Sequence, residues 1–135
     1  MLYPEGCSTK GTHLIKFKKG AFTSLLPVKP FIYHIKSIRG NPAAGYALNY
    51  WHWAMICGEF IYMWAEQLEM PVFEPNEYFW KHHWDGKDPE TKWIVFADAV
   101  RAVMAECAGL ELSDETLATK SEYKNVVWGK SAKHD

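Results

Sequence analysis

The sequence predicts an α/β fold with a few strands and helices, and two segments carry that prediction. Leu26–Ile38 is rich in β-branched and aromatic residues, and its prolines, Pro27 and Pro30, lie at the entrance, as in a strand. Asp88–Gly109 starts with a capping residue, has apolar residues at spacings of three and four, and ends in glycine. We therefore expect a helix over Pro89–Ala108.

The ends and the buried face of this helix are readable from its residues. Asp88 suits the N-cap, Pro89 the first helical position and Glu90 the positive end of the helix dipole. Gly109 suits a left-handed residue that ends the helix. One continuous apolar stripe is predicted to face the core. Its members are Trp93, Phe96, Ala97, Val100, Val103, Met104 and Cys107.

The remaining segments have weaker patterns. Glu5–Gly11 is rich in Gly, Ser and Thr and predicts a loop. Leu14–Phe22 is compatible with a short helix that Gly20 weakens. Met70–Phe73 predicts a short strand, which leads into a polar loop over Glu74–Gly86.

The least polar stretch, Tyr46–Leu68, bears on membrane contact. Polar residues interrupt it, so it has no clean run of the roughly 18–20 apolar residues of a spanning helix. We expect a helix that lies in the membrane interface or is buried against the domain. Aromatic residues make up 16% of the chain, which suits either a membrane interface or a Trp-rich core.

The net charge of −1 for 135 residues hides an asymmetry. Residues 1–39 carry a net charge of +6, and residues 40–135 carry −7. A basic segment interleaved with apolar residues suits phosphate-bearing ligands or an anionic membrane surface. Nucleic acid is not the expected partner, because no zinc-finger, RRM-like or helix-turn-helix pattern is present.

Three cysteines, Cys7, Cys57 and Cys107, lie about fifty residues apart without a Cys-x-x-Cys pair. An odd and dispersed set indicates reduced thiols rather than a disulfide framework. The first residues are not a basic stretch followed by an apolar core, so no signal peptide is expected.

Four blocks of residues occur in a fixed order: Tyr3–Cys7 (YPEGC), Leu14–Phe22 (LIKFKKGAF) leading into Leu26–Pro30 (LPVKP), Met70–Glu77 (MPVFEPNE) and Phe96–Gly109 (FADAVRAVMAECAG). In these blocks the chain resembles the glycerolipid and lysophospholipid acyltransferases, and their lysophosphatidylcholine acyltransferase-like members in particular. Those enzymes transfer a fatty acyl group from a coenzyme A thioester to the free hydroxyl of a lysophospholipid.

The resemblance implies a partial glycerol-phosphate acyltransferase-like domain, namely its C-terminal part, over residues 1–123, followed by a polar and loose tail over residues 124–135. Lysophospholipid and acyl-CoA are the implied ligands, with acyl-CoA as a co-substrate and no other cofactor. A membrane surface is the implied partner, either endomembrane of the endoplasmic-reticulum kind or mitochondrial. Other protein chains are expected to cover an incomplete domain.

The resemblance also implies site residues. Those implied for the acceptor's glycerol-phosphate site are Glu5, Gly6, Cys7, Ser8 and Lys10. Gly6 permits a tight turn that exposes amides to an anion, whereas Glu5 is expected to fix the loop or to bind a hydroxyl. Pro27, in the family's fourth block, is expected near the acyl donor. Cys7 stands where the family usually has Thr, which replaces a strong hydroxyl donor by a weak one.

The family's general base is a His in a His-x-x-x-x-Asp block that precedes the Glu-Gly block, and only Met1 and Leu2 precede Tyr3 here. The match from His83 to Asp88 follows that block, and we interpret it as coincidence. We therefore expect residues 1–135 to be inactive alone. The alternative is a non-catalytic lipid-binding or structural subunit of a membrane assembly. No metal site is expected, and the nearby candidates, His82, His83, Asp85 and Asp88, are interpreted as a solvated loop.

Overall fold

The structure is a computed structural model that describes residues 2–7, 9, 11–38, 63–86 and 88–127. Its strands are β1 (His13–Leu14), β2 (Phe31–Ser37), β3 (Met63–Glu69) and β4 (Glu111–Leu112). Its α-helices are α1 (Glu77–His83), α2 (Lys92–Ala108) and α3 (Leu117–Val127). The predicted α/β class is confirmed, because short strands and helices alternate along the chain.

The two shortest strands, β1 and β4, are parallel neighbours that join the start of the chain to the segment after α2. The pairing continues beyond them, since Ser113 N–H donates to the carbonyl of Leu14 at 3.0 Å and Lys16 N–H to that of Glu115 at 2.9 Å. An exposed ion pair between Lys16 and Asp114 (3.2 Å) lies beside them. The first block of the sequence therefore lies against the residues that follow α2.

The longer strands, β2 and β3, form an antiparallel pair from Phe31 opposite Glu69 to Ser37 opposite Met63. The strand predicted over Leu26–Ile38 is confirmed in this shorter form. The helix predicted through Leu68 is wrong for Met63–Leu68, which belongs to β3. Pairing with β2 is a non-local interaction, so the local pattern of apolar residues does not reveal it. Residues 46–62 of that prediction lie outside the described residues.

The strand predicted over Met70–Phe73 is reduced to an isolated bridge. Phe73 and Val28 exchange two backbone hydrogen bonds, of 2.7 and 3.0 Å. The polar loop predicted over Glu74–Gly86 is wrong, because α1 lies within it. Asn76 caps α1 by accepting a hydrogen bond from Phe79 N–H at 2.9 Å, and the buried ring of Phe79 anchors the helix to the core.

The long helix is confirmed at both ends. Asp88 caps a 3₁₀ turn (Pro89–Thr91) that leads into α2, with its carboxylate accepting from Glu90 N–H at 2.9 Å. Gly109 ends α2 in the left-handed conformation, with φ of 63°.

The predicted stripe on α2 is right in its centre and wrong at two positions. Val103 and Cys107 are exposed rather than buried. The buried side of α2 instead includes Arg101 and Ala105. Because an α-helix has 3.6 residues per turn, residues four apart lie on nearly the same face. Ala97, Arg101 and Ala105 therefore share the buried face, and Val103 lies on the exposed one.

The core is built largely from aromatic rings around α2. Phe96 is fully buried, and four other phenylalanines pack on it directly or through one another: Phe17, Phe22, Phe73 and Phe79. The short helix expected within Leu14–Phe22 is a single 3₁₀ turn over Lys19–Ala21, because Phe17 and Phe22 are drawn into this core. At the other end of the chain, α3 continues to Val127.

Within the described ranges, none of the helices has both the length and the apolar character needed to cross a bilayer.

Candidate acceptor site at the Glu5–Gly6 turn

Residues Tyr3–Gly6 form a tight turn that is closed by a hydrogen bond from Gly6 N–H to the carbonyl of Tyr3 at 3.0 Å. Pro4 occupies its second position, where its fixed φ is favoured, and Gly6 its fourth. Gly6 has φ of 70°, a left-handed conformation that glycine adopts without steric cost. The Pro-Glu-Gly sequence thus accounts for the turn locally.

Glu5 ties this turn to β1. Its Oε1 atom accepts a hydrogen bond from Ile15 N–H at 3.1 Å, and the side chain is half-buried. Burial raises the pKa of Glu5 above its ordinary value, while the Ile15 hydrogen bond and the positive charges of Lys120 and Arg101 act in the opposite direction. The carboxylate therefore lies in a partly desolvated site with cations from two helices nearby.

A third cation, Lys18, lies against the turn. Its backbone N–H donates to the carbonyl of Pro4 at 2.8 Å. Its side chain passes over Gly6, and Nζ and Cε lie 2.9 Å from the position that a Cβ at residue 6 would occupy. A Cβ at residue 6 would require the end of the Lys18 side chain to shift. The charges of Lys120 and Arg101 act on the Glu5 carboxylate, and the ammonium of Lys18 lies over the neighbouring Gly6.

Sequence reasoning missed Lys120 and Arg101, and Arg101 is the buried one of the two. It lies on α2, and only 7% of its surface is exposed. Its Nη1 donates to the carbonyl of Ser113 at 3.2 Å, while its buried Nε has no hydrogen-bond partner among the described residues. The available signal was a long charged residue inside an apolar helical stripe, since arginine is rarely buried without a partner.

The other residues predicted for the site are placed less closely together. Cys7 follows the turn as a half-buried free thiol. Pro27 is exposed on a separate segment and makes no hydrogen bond to Tyr3–Cys7. That segment follows Leu25, whose φ of 52° is rare for a branched residue. Ser8 and Lys10 lie outside the described residues. The structure thus brings together Glu5, Gly6 and Cys7 of the predicted set.

The histidines near α1 make local contacts. The Nδ1 atom of His82 is 2.8 Å from the carbonyl of Tyr78, and the ring of His83 stacks on Phe79 with centroids 4.9 Å apart. Asp88 caps the start of the next helix. In the part of the chain that the structure describes, no group of three or more His, Cys, Asp or Glu residues is arranged to hold a metal ion.

Comparison with known proteins gives one consistent result. The chain is 30% identical to the lysophospholipid acyltransferase LPEAT1 of Arabidopsis thaliana over 129 residues, which are 96% of the chain and 30% of that relative. It is 31% identical to human lysophosphatidylcholine acyltransferase 1 over 123 residues (86% of the chain, 20% of the relative) and 31% identical to the protein of that name from Danio rerio over 121 residues (84% and 20%).

The chain therefore spans between a fifth and a third of the length of these curated relatives. No protein-family model matches it, and no solved structure gives a significant match. Over most of its length, the chain has lysophospholipid acyltransferases as its distant homologues.

Proposed function

We propose that the chain is part of an acyl-CoA-dependent lysophospholipid acyltransferase, and that the Tyr3–Gly6 turn binds the glycerol-phosphate part of the acceptor. The observation that carries the proposal is the site itself, where the fixed carboxylate of Glu5 feels the charges of Lys120 and Arg101, and the ammonium of Lys18 lies over Gly6. A lysophospholipid offers a phosphate for the ammonium of Lys18 and a free hydroxyl for the carboxylate, so its chemistry matches this arrangement. The homologues support the same class of acceptor.

The acyl donor in this proposal is acyl-CoA, and its reacting carbonyl is placed on the Pro27 side. Acyl transfer needs a nucleophilic hydroxyl, and a positioned base typically contributes about 10²–10⁴-fold. Within residues 1–135 the only His-x-x-x-x-Asp is His83–Asp88. The ring of His83 stacks on Phe79, and the Asp88 carboxylate accepts from Glu90 N–H. We therefore expect residues 1–135 to bind the acceptor and to turn it over negligibly.

Membrane association is part of the proposal, because lysophospholipid acceptors reside in lipid. We place the protein at an endomembrane of the endoplasmic-reticulum kind or at a mitochondrial membrane, with further protein residues or chains covering the open face of β2–β3. Exposed apolar residues on that face, Tyr33, Ile35 and Met63, support the need for a cover. A non-catalytic lipid-binding subunit is the competing function.

The test is a transfer assay with labelled acyl-CoA and several lysophospholipids, on residues 1–135 and on any longer form that carries an upstream His-x-x-x-x-Asp. In an active form, Glu5→Ala is expected to lower transfer at least about 10²-fold. His83→Ala and the exposed control Glu106→Ala are expected to leave it nearly unchanged. Transfer by residues 1–135 that His83→Ala abolishes would contradict the proposal. Acceptor binding without transfer by any form would support the non-catalytic subunit.

A further inference from the structure

Arg101 is a buried charge with incomplete pairing. The residue is only 7% exposed, yet among the described residues its guanidinium makes one hydrogen bond, from Nη1 to the Ser113 carbonyl. Its Nε is buried and has no partner among the described residues. Removing a charge from water costs several kcal/mol unless opposite charge and hydrogen bonds compensate. An apolar residue would fill this position of α2 at lower cost, so folding alone does not account for an arginine here.

The nearby opposite charge is Glu5. Burial raises the pKa of Glu5, while the hydrogen bond from the Ile15 amide, the charge of Lys120 on α3 and the charge of Arg101 on α2 act in the opposite direction. Arg101 is the buried member of this set.

A chain of hydrogen bonds also links Arg101 to Glu5. Arg101 Nη1 donates to the carbonyl of Ser113 at 3.2 Å, and Ser113 N–H donates to the carbonyl of Leu14 at 3.0 Å. The N–H of the same peptide group, that of Ile15, donates to Oε1 of Glu5 at 3.1 Å. The guanidinium thus fixes the backbone segment whose amide holds the carboxylate.

We propose that Arg101 is a positioning residue that holds the Glu5 carboxylate in the orientation that receives the acceptor. It acts through Glu5 and does not itself touch the acceptor. The role rests on the proposed function of the Tyr3–Gly6 turn as the acceptor site, but the state of Glu5 can be measured without any acceptor.

The first experiment uses NMR to measure the pKa of Glu5 and the amide resonance of Ile15. It compares the unsubstituted 135-residue chain with the variants Arg101→Met and Arg101→Lys. Methionine removes the charge and the Ser113 bond while keeping an apolar stem. In Arg101→Met we expect the pKa of Glu5 to rise and the Ile15 amide resonance to shift. Arg101→Lys keeps the charge, so the pKa of Glu5 in that variant is expected to stay close to that of the unsubstituted chain. This variant supplies the test if Arg101→Met does not fold.

The second experiment titrates the same proteins with a monomeric short-chain lysophosphatidylcholine. We expect the affinity to fall about tenfold in Arg101→Met, a loss of about 1.4 kcal/mol, when it is measured at a temperature at which both proteins are folded. The loss should diminish as the pH rises and Glu5 ionises again, whereas a purely structural defect would not recover.

The two proposals fail in different ways. If the unsubstituted chain and a longer form both fail to bind the acceptor, while Glu5 responds to Arg101→Met as expected, the acceptor site is wrong and the positioning of Glu5 stands. If the pKa of Glu5 and the Ile15 amide resonance are the same in Arg101→Met as in the unsubstituted chain, Arg101 does not position Glu5, whether or not the acceptor binds. Where only Arg101→Lys folds, a rise in the pKa of Glu5 in that variant would overturn the role of the charge.

Discussion

Gly6 shows how one residue type determines the local shape of the candidate site. Its left-handed backbone disfavours a side chain, and a Cβ would also require the end of Lys18 to shift. The first is a steric conflict within residue 6 itself, and the second is a contact with the flexible end of another side chain. Both point to a turn whose exposed backbone lies next to a cation, which is the arrangement that a phosphate recognises.

Gly6→Ala is therefore expected to lower the free energy of unfolding by about 1 kcal/mol, because a Cβ is unfavourable at φ of 70°. It is also expected to weaken acceptor binding, because the Cβ displaces Lys18. Gly20→Ala is the matched control, since nothing lies within 4 Å of a Cβ there. Urea denaturation and lysophosphatidylcholine titration check both variants. Equal effects of the two substitutions would show that the turn has no special requirement for glycine.

Glu5 predicts a pH dependence of stability. Its pKa in the folded chain is raised above 4.5 by burial, so the folded state binds more protons than the unfolded state between those two values. Its contribution to the free energy of unfolding therefore falls as the pH rises from 4.5 through the folded pKa, and is constant above it. Glu5→Gln removes this contribution, so it should gain stability relative to the unsubstituted chain over that interval.

Urea denaturation from about pH 4 to pH 7 measures the difference between these two proteins. The lowered pKa values of Glu66 and Glu69, which Lys36 and Lys29 cause, act in the opposite direction but are common to both and cancel. A difference that does not change with pH would mean that Glu5 has the same pKa in the folded and unfolded states.

At the scale of elements, α2 contacts two parts of the molecule, one through its buried apolar residues and the other through its buried arginine. Phe96 meets the rings of Phe22, Phe73 and Phe79 and so joins α1 to the segment between the first two strands. Arg101 lies farther along the same helix, where it contacts the segment after β4. The apolar core and the candidate site are thus held by one rigid helix.

Val100→Ala and Val103→Ala form a matched pair that tests this orientation of α2. Val100 is 2% exposed and Val103 is 38% exposed. Removing two buried methyl groups is expected to cost about 2 kcal/mol, from lost burial and from the cavity. The exposed substitution is expected to change stability by less than about 0.5 kcal/mol. Similar losses for both would indicate that Val103 is also buried, as the sequence pattern alone predicts.

What the sequence predicts well about the fold is local. The cap at Asp88, the end at Gly109 and the strand after Pro30 depend on neighbouring residues, and all three are confirmed. The prediction missed α1, which one capping residue and one buried phenylalanine define, and it missed β3, which depends on pairing with a distant strand. Helices this short and strands of this kind are set by tertiary contacts rather than by propensity.

The same division applies to the candidate site. Motif resemblance identified Glu5 and Gly6, which are adjacent in sequence and share one turn. Arg101 and Lys120 come from helices about a hundred residues away, so only the fold reveals that they approach Glu5. A buried arginine in an apolar stripe is the kind of local inconsistency that deserves a functional explanation, because it opposes the packing that surrounds it.

The whole molecule has an uneven distribution of charge that bears on where it binds. Residues 1–39 carry the basic excess, whereas the acidic excess lies in the rest of the chain. Some of that basic charge is neutralised locally, since Lys16, Lys29 and Lys36 each have a carboxylate partner. Lys18 and Lys19 have no ion pair among the described residues and remain able to meet lipid phosphates.

We expect the protein to bind anionic vesicles in a salt-sensitive way. Lys18 and Lys19 supply the unpaired charge, and Lys16 joins them only if its exposed ion pair with Asp114 opens. Tyr46–Trp64 supplies aromatic residues, although only Met63 and Trp64 of that stretch are described, both exposed on β3. A basic residue near an anionic surface contributes about 1 kcal/mol, so Lys19→Gln should weaken binding about fivefold. Lys81→Gln, on the exposed side of α1, is the control and should have little effect.

Sedimentation with phosphatidylcholine vesicles, with and without phosphatidylserine, measures this binding between about 0.05 and about 0.5 M salt, a range that shortens the Debye length about threefold. Binding that needs phosphatidylserine and decreases with salt would locate the contact on the basic segment. Binding that is equally strong to neutral vesicles and insensitive to salt would assign it to the aromatic residues alone. No binding under either condition would contradict the membrane surface as a partner, because neither the charge nor the aromatic residues would then be accessible to lipid.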